Sequence, residues 1–264
     1  MRTKIHYYRL VVSYKGTHYY GWQDIGEGEQ KPTLQASIQK VLEKISKSKD
    51  CTIATASRTD AGVHAQGQVI KVSIPLAIDA NKLLLGMNSL LPNDIRILKS
   101  ELSTLAFNPN KESISKTYHY YFCTNTIHNP LLNDTVAHIP SSSKNPLNIT
   151  LMQEACKLFI AKQDFYSFAK QDSTMHSTIR TMVSCEILKT QALAFDNDVY
   201  CLKIVGEGFL RYMIRYIAGA LFALGRNEIS LNDISEALAT HKEKKLSAKA
   251  KSCGLHLIEV NYEN

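Results

Sequence analysis

The sequence has no long run of apolar residues. None of its stretches approaches the ~18 consecutive apolar residues that a membrane-spanning helix requires. Charges at Arg2, Lys4 and Arg9 interrupt the first residues, which alternate like a strand instead of forming the apolar core of a secretory signal. We therefore expect a cytoplasmic protein with no membrane partner.

The sequence also lacks the cysteine spacing of a metal-binding or disulfide-stabilised protein. Its 6 cysteines include no Cys-x-x-Cys pair. They are Cys51, Cys123, Cys156, Cys185, Cys201 and Cys253. Isolated cysteines in a cytoplasmic protein are usually reduced thiols of the core. We expect no metal site.

A complete dinucleotide-binding fingerprint is missing as well. Gly-x-Gly at residues 206–208 follows a strand-like run, which invites that interpretation. However, Arg211 stands where the third glycine belongs, and no clear acidic ribose partner follows. We expect no cofactor.

Positive charge is in moderate excess. Lys and Arg total 31 against 24 Asp and Glu, which gives a formal net charge of +7. This balance favours a polyanionic partner, although many cytoplasmic proteins are mildly basic. The 264 residues suffice for one two-lobed domain or two small ones with a core of their own.

Hydrophobic periodicity predicts alternating strands and helices in the first half. Apolar residues at helical spacing from Leu34 to Ile45, with Thr33 as N-cap, predict the first helix. The other predicted elements are strands at 4–14, 51–56, 68–74 and 94–102 and a helix near 79–90. This order predicts an α+β fold with helices on one face of a mainly antiparallel sheet.

The second half continues this pattern. Tyr118, Tyr120 and Phe122 fall on one face of a strand at 115–122. The other predictions are a helix opened by a capping box at Thr150, strands at 179–189 and 199–205, a helix from 209 that carries Arg211 and Arg215 on one edge, a helix after Ser230, and a closing strand at 254–260. We predict an N-terminal lobe at 1–106 and a C-terminal lobe at 107–264, with 129–148 as a connection.

Chemical groups concentrate in residues 57–69, between two predicted strands. This segment contains Arg58, Asp60 and His64 among glycine and alanine, and it has no apolar period. This pattern therefore predicts a charged loop on a rigid scaffold, where catalytic groups usually lie. A purely structural tight turn at residues 60–62 is the alternative interpretation.

The order of these residues resembles a known family. Arg-Thr-Asp-Ala-Gly-Val-His-Ala at 58–65, followed by Gly-Gln-Val, is similar to the signature loop of the TruA family of tRNA pseudouridine synthases. Four further segments resemble that family in the same order. They are Tyr-x-Gly-Thr-x-x-x-Gly-Trp-Gln at 14–23, Lys-Thr-Tyr-x-Tyr at 116–120, Gly-x-Gly-Phe-Leu-x-x-Met-Ile-Arg at 206–215 and Gly-Leu-x-Leu-x-x-Val at 254–260.

The resemblance implies an isomerase that converts uridine to pseudouridine at nucleotides 38 to 40 of the tRNA anticodon stem-loop. It also implies the two-lobed pseudouridine synthase fold, with a cleft between the lobes, and a homodimer. The reaction breaks the N1–C1′ bond and joins C5 to C1′, so no atoms are gained or lost. A target base inside a stem must flip out to be reached.

The resemblance also assigns catalytic residues. Asp60 matches the catalytic aspartate, Arg215 the arginine that pairs with it, and Tyr118 the active-site tyrosine. Tyr118 would stack on the extruded uracil, and its hydroxyl would assist removal of the C5 proton. Asp60 would attack C1′, attack C6 or abstract the C2′ proton, and the sequence leaves these alternatives open.

Other residues are candidates for substrate binding. Leu255 matches an apolar residue of the uracil pocket, and Arg58 is placed to hold the flipped nucleotide. Arg211 is a candidate phosphate ligand, and the basic run at 241–251 is solvated by default but suits phosphates.

Two segments depart from the family pattern. Phe107-Asn108-Pro109-Asn110 replaces Phe-His-Ala-Arg, and Gln163 replaces a histidine. The change at 107–110 concerns RNA placement more than chemistry, and it motivates a second hypothesis, an inactive RNA-binding protein of the same fold. Because the histidine is replaced by Gln163, we assign no proton-transfer role there. A third hypothesis is an unrelated hydrolase that uses Asp60 and His64.

Overall fold

The computed structural model describes residues 4–23, 32–171, 177–190 and 198–263. The chain divides into two compact units, one comprising Met1–Ile114 and Leu257–Asn264 and the other Ser115–His256. Within the described residues the fold is α+β with mostly antiparallel strands, as predicted. In that part of the chain, no helix has the length and apolar content that crossing a membrane requires.

The first unit is built on long antiparallel strands. Its strands are β1 (His6–Tyr14), β2 (Thr52–Thr55), β3 (His64–Ile74) and β4 (Ile95–Leu102). Strand β1 pairs with β4 on one side and β3 on the other, and β2 also pairs with β3. The strand prediction at 68–74 was too short, since β3 begins four residues earlier at His64.

Two helices of the first unit begin at side-chain caps. Helix α1 (Leu34–Ser46) starts after Thr33, whose hydroxyl accepts a hydrogen bond from the Ala36 amide. Helix α2 (Ala80–Leu90) starts after Asp79, whose carboxylate accepts hydrogen bonds from the amides of Asn81 and Lys82. Both helices were predicted, because caps and apolar periods are local signals.

The second unit has its own antiparallel strands. These are β5 (Ser113–Cys123), β7 (Lys162–Asp164), β8 (Ile179–Thr190) and β9 (Val199–Gly206), in the order β5-β9-β8-β7. The short strand β6 (Ala137–His138) pairs parallel with β5. Segment 129–148, which we predicted to connect the lobes, lies within this unit.

The described part of the second unit has three α-helices. They are α3 (Ile149–Cys156), α4 (Met213–Gly225) and α5 (Leu231–Ala239). The last strand, β10 (Leu255–Tyr262), follows them and belongs to the first unit from Leu257 onward. The predicted capping box at Thr150 was wrong. Asn148 caps α3 by accepting from the Leu151 amide, so the helix begins earlier. Ser230 and Asp233 form the capping box of α5.

Replacing the α1 cap should destabilise the protein. Thr33→Ala removes the acceptor for the Ala36 amide and should lower the free energy of unfolding by about 1 kcal/mol. Thr33→Ser keeps that acceptor and serves as the matched control. Urea midpoints at an unchanged slope measure the difference. Equal midpoints for the two variants would contradict the capping role.

Candidate active site

The candidate loop occupies fewer residues than predicted. Because β3 begins at His64, the loop between β2 and β3 ends at Val63. Residues 64–67 therefore lie in a strand, and His64 is not a turn residue. The remaining tip closes as a turn in which the Val63 amide donates to the Asp60 carbonyl oxygen at 3.1 Å. The turn leaves Asp60 half-buried.

Two glycines of the Tyr-x-Gly-Thr-x-x-x-Gly-Trp-Gln segment lie against this turn. A Cβ atom on Gly16 would lie 1.9 Å from the carbonyl oxygen of Val63. A Cβ on Gly21, whose φ is +101°, would lie 2.8 Å from the carbonyl oxygen of Thr59 and 3.1 Å from the amide of Ala61. We call these contacts of Gly16 and Gly21 with residues 59–63 the glycine clamp. Only residues without a Cβ permit this approach.

Hydrogen bonds hold the turn within the clamp. The Trp22 amide donates to the Thr59 carbonyl oxygen at 2.9 Å. The hydroxyls of Tyr14 and Thr59 are hydrogen-bonded at 2.8 Å. Trp22 is buried and packs beside Tyr14, which fits the structural role that an aromatic under a loop usually has. The backbone of Asp60 is thus fixed from the sides of both Thr59 and Val63.

The entry to the loop is fixed by Gln68. Its buried amide donates to the Ser57 carbonyl oxygen at 2.6 Å and accepts from the Ser57 amide at 3.2 Å. Arg58 follows directly and is exposed. Its guanidinium therefore projects from a restrained backbone position.

His64 has a structural task. It is buried, and its Nδ1 accepts a hydrogen bond from the Gly16 amide at 3.1 Å. A ring nitrogen that accepts a hydrogen bond carries no proton itself. The His64 imidazole therefore anchors the Gly16 backbone of the glycine clamp. This geometry counts against the hydrolase hypothesis, which needs His64 as an acid–base group.

In the second unit, Tyr118 packs against Phe209. Tyr118 is buried on β5 and pairs with Ile204 of β9. The ring centroids of Tyr118 and Phe209 are 5.2 Å apart at an interplanar angle of 82°. This edge-to-face contact fixes the plane of the tyrosine ring.

Arg215 is a buried cation in the first turn of α4. Only 8% of its surface is exposed. Its Nε donates to the Ala250 carbonyl oxygen at 2.8 Å, and the Ala250 amide donates to the Arg215 carbonyl oxygen at 3.0 Å. The guanidinium is therefore oriented by a neighbouring backbone segment.

The prediction that Arg211 and Arg215 share one helix edge was wrong. Helix α4 begins only at Met213, because Tyr212 takes a left-handed conformation with φ of +64°. Arg211 therefore precedes the helix, and its exposed guanidinium lies 5.0 Å from the centre of the Tyr212 ring. Phe209, where the predicted helix began, also lies before α4.

Leu255 and the residues that depart from the family pattern, Asn108 and Gln163, each have a defined local environment. Leu255 is buried at the start of β10. The Asn108 carboxamide oxygen accepts from the amides of Asn110 and Lys111, so it shapes its own turn. Gln163 donates to the Leu158 carbonyl oxygen at 2.9 Å.

Lys116 is a candidate that the sequence reasoning missed. It is buried on the same face of β5 as Tyr118, two residues away, and its Cα lies opposite Gly206. Burial, and then the charge of Arg180, lowers the pKa of Lys116 to about 8. The signal was a lysine on the strand face that otherwise carries buried aromatics.

In the described part of the chain, no group of three or more His, Cys, Asp or Glu side chains is placed to hold an ion.

Comparison with known proteins gives a consistent result. The profile of a family described as tRNA pseudouridine synthase matches residues 155–263. The chain is 45% identical over 259 residues to "tRNA pseudouridine synthase A 2" of Desulfotalea psychrophila, covering 97% of this chain and 98% of the relative.

Two further relatives show the same relationship. "tRNA pseudouridine synthase A 2" of Clostridium tetani is 34% identical, covering 96% of this chain and 98% of the relative. "tRNA pseudouridine synthase A" of Thermodesulfovibrio yellowstonii is also 34% identical, with 96% and 98% covered. At this identity and coverage, the chain belongs to the tRNA pseudouridine synthase A (TruA) family.

Proposed function

We propose that this protein isomerises uridine to pseudouridine in tRNA, with Asp60 as the catalytic carboxylate. The proposal rests on the glycine clamp, in which the segment at residues 14–23 that resembles the family holds the turn that contains Asp60. A group held in place before the substrate arrives needs little reorganisation during the reaction. Asp60 attacks C1′ or C6, or abstracts the C2′ proton, and all three routes use the same carboxylate.

Arg215 is the proposed partner of Asp60, as the family resemblance implies. A buried guanidinium is costly unless it is paired, which favours a carboxylate partner. The hydrogen bond from Arg215 to Ala250 orients the guanidinium through Nε. A guanidinium oriented in this way suits a carboxylate, which can accept two parallel N–H···O bonds from it.

Tyr118 is the proposed stacking partner of the flipped uracil. Stacking of a base on an aromatic ring contributes about 1–3 kcal/mol, which offsets part of the energy of unstacking. The edge of Phe209 holds the ring in one plane, which favours a single orientation of the base. Leu255 supplies apolar surface to the pocket, and the Tyr118 hydroxyl assists removal of the C5 proton.

Lys116 is proposed to stabilise negative charge on the uracil. Breaking the N1–C1′ bond leaves electrons on the base, and a buried ammonium close to Tyr118 opposes that charge. Because burial favours the neutral amine, the charge at this position depends on pH in the alkaline range.

Arg58 and Arg211 are proposed to bind the RNA backbone. Both guanidinium groups are exposed, and Arg58 follows the fixed Ser57 backbone. The anticodon stem-loop with uridines 38 to 40, base flipping, a homodimer and a cytoplasmic location complete the proposal, and each comes from the family resemblance. An inactive RNA-binding protein is the alternative, but Asp60, Tyr118 and Arg215 are all present.

Replacing Asp60 should abolish turnover. The reaction exchanges the C5 hydrogen for a bond to C1′, so tritium release from C5-labelled uridine in unmodified tRNA measures it directly. Asp60→Ala should release none while binding tRNA within severalfold of wild type. Asp50→Ala, at an exposed acidic position outside the turn, should remain active. Undiminished tritium release by Asp60→Ala would contradict the assignment. If the wild-type protein binds tRNA but releases no tritium, the inactive RNA-binding alternative is favoured.

The activity should fall as the pH rises through about 8, where the Lys116 ammonium loses its proton. Below that pKa the charge is present, and above it the amine is neutral. Lys116→Arg keeps the positive charge throughout, so its alkaline decline should be weaker. The measurement is kcat/KM for tritium release between pH 6.5 and 9.5 (roughly the range that brackets this group). Identical alkaline limbs for the two proteins would refute the role of Lys116.

A further inference from the structure

Residues 240–250 form an irregular segment between α5 and β10 that lies along α4. We call this segment the strap. Ala250 exchanges two backbone and side-chain hydrogen bonds with Arg215. Further back along the strap, the Lys249 ammonium lies 3.4 Å from the centre of the Tyr212 ring, and that of Lys245 lies 5.7 Å from the centre of the Tyr216 ring. The strap thus follows α4 over at least one helical turn.

The other edge of the strap is tied to residues 164–171. The Ser167 hydroxyl donates to the Thr240 carbonyl oxygen at 3.0 Å and accepts from the Lys242 amide at 3.0 Å. His241 Nε2 lies 2.9 Å from a carboxylate oxygen of Asp164. These contacts fix the strap on both sides, so its side chains project from a defined backbone.

The cations of the strap differ in their partners. The ammonium of Lys242 pairs with Glu236 at 2.9 Å. Within the described ranges, no carboxylate lies within ion-pair distance of Lys245 or Lys249. Glu243 is exposed and is the one acidic residue of the strap. Positive charge therefore exceeds negative charge along this face of α4.

Lys245 retains one donor. Its ammonium donates to the Tyr166 carbonyl oxygen at 3.2 Å and to the Gln171 carboxamide oxygen at 3.0 Å. A lysine has three N–H groups, so one remains for an anion. Burial lowers the pKa of Lys245, and a bound phosphate would oppose that shift.

Aromatic rings alternate with these cations. Tyr212, directly before α4, and Tyr216, on α4, are four residues apart, and Lys245 and Lys249 repeat the same spacing on the strap. Lys245 lies near the rings of both Tyr166 and Tyr216, and Arg211 joins Lys249 at Tyr212. Cations interleaved with aromatic rings are typical of surfaces that follow a nucleic-acid strand.

We propose that Arg211, Lys245 and Lys249 form a ridge that binds successive phosphates of the RNA backbone. The ridge leads toward Arg215 through Ala250, so it would guide the strand that carries the reacting nucleotide. The inference rests on the proposed function for its partner, tRNA, but its chemistry requires only a phosphodiester chain. Within the basic run at 241–251, this assigns phosphate binding to Lys245 and Lys249 in particular.

The test is the salt dependence of tRNA binding by a Lys245→Met/Lys249→Met variant. Methionine keeps an unbranched stem against the rings and removes only the charge. The slope of log K against log salt concentration should fall by about 1–2, because each phosphate contact releases bound counterions. Lys40→Met/Lys44→Met on α1 is the matched control, since both lysines are exposed and four residues apart.

Three outcomes decide the proposal. A reduced slope in the strap variant alone supports the ridge, and restoration by Lys245→Arg/Lys249→Arg strengthens it. Equal slopes in the strap and control variants would overturn it, because the effect would then come from net charge. A change in the binding of anionic lipid vesicles without a change for tRNA would overturn it in favour of a membrane surface. Binding is measured without turnover, so the result stands even if tritium release fails.

Discussion

The contact of two glycine backbones with the Asp60 turn is the constraint on which the candidate site depends. Gly16 and Gly21 approach residues 59–63 more closely than any side chain would permit. The same turn accepts a hydrogen bond from the Trp22 amide and shares one with the Tyr14 hydroxyl, and His64 supports the clamp from β3. The carboxylate that we propose to be catalytic thus lies on backbone that is restrained from several directions.

Buried charge is the second constraint, and it lies in the other unit. Arg215 and Lys116 are both buried, and a buried cation is retained only when its surroundings compensate the loss of water. The strap supplies part of this compensation through the Ala250 carbonyl oxygen, which accepts a hydrogen bond from Arg215. The strap also contains the proposed phosphate ligands Lys245 and Lys249. Chemistry and RNA binding would therefore share one supporting segment, which links the proposed catalytic residues to the proposed ridge.

Local signals in the sequence predicted most elements, whereas positions that depend on packing were missed. The Thr33 cap and the apolar period after it are local, and α1 begins where they predict. The start of α4 was misplaced because the left-handed turn at Tyr212 is not encoded by glycine or asparagine. His64 was assigned to a loop because its strand pairing is not visible in the sequence. The role of Gly21 becomes visible only when the neighbouring turn at 59–63 is in place. The role of Lys116 depends on its burial, which the sequence does not show.

The most direct test of this account is the turnover of Gly21→Ala in comparison with Gly86→Ala. A Cβ at Gly21 would meet the backbone of Thr59, whereas one at Gly86 would meet only the end of the Ile45 side chain at 3.7 Å. Displacing a reacting group by about 1 Å can cost on the order of 100-fold in rate. We predict such a loss in kcat for folded Gly21→Ala, with tRNA binding retained and Gly86→Ala unaffected. Equal turnover by the two folded variants would contradict the claim that the clamp positions Asp60.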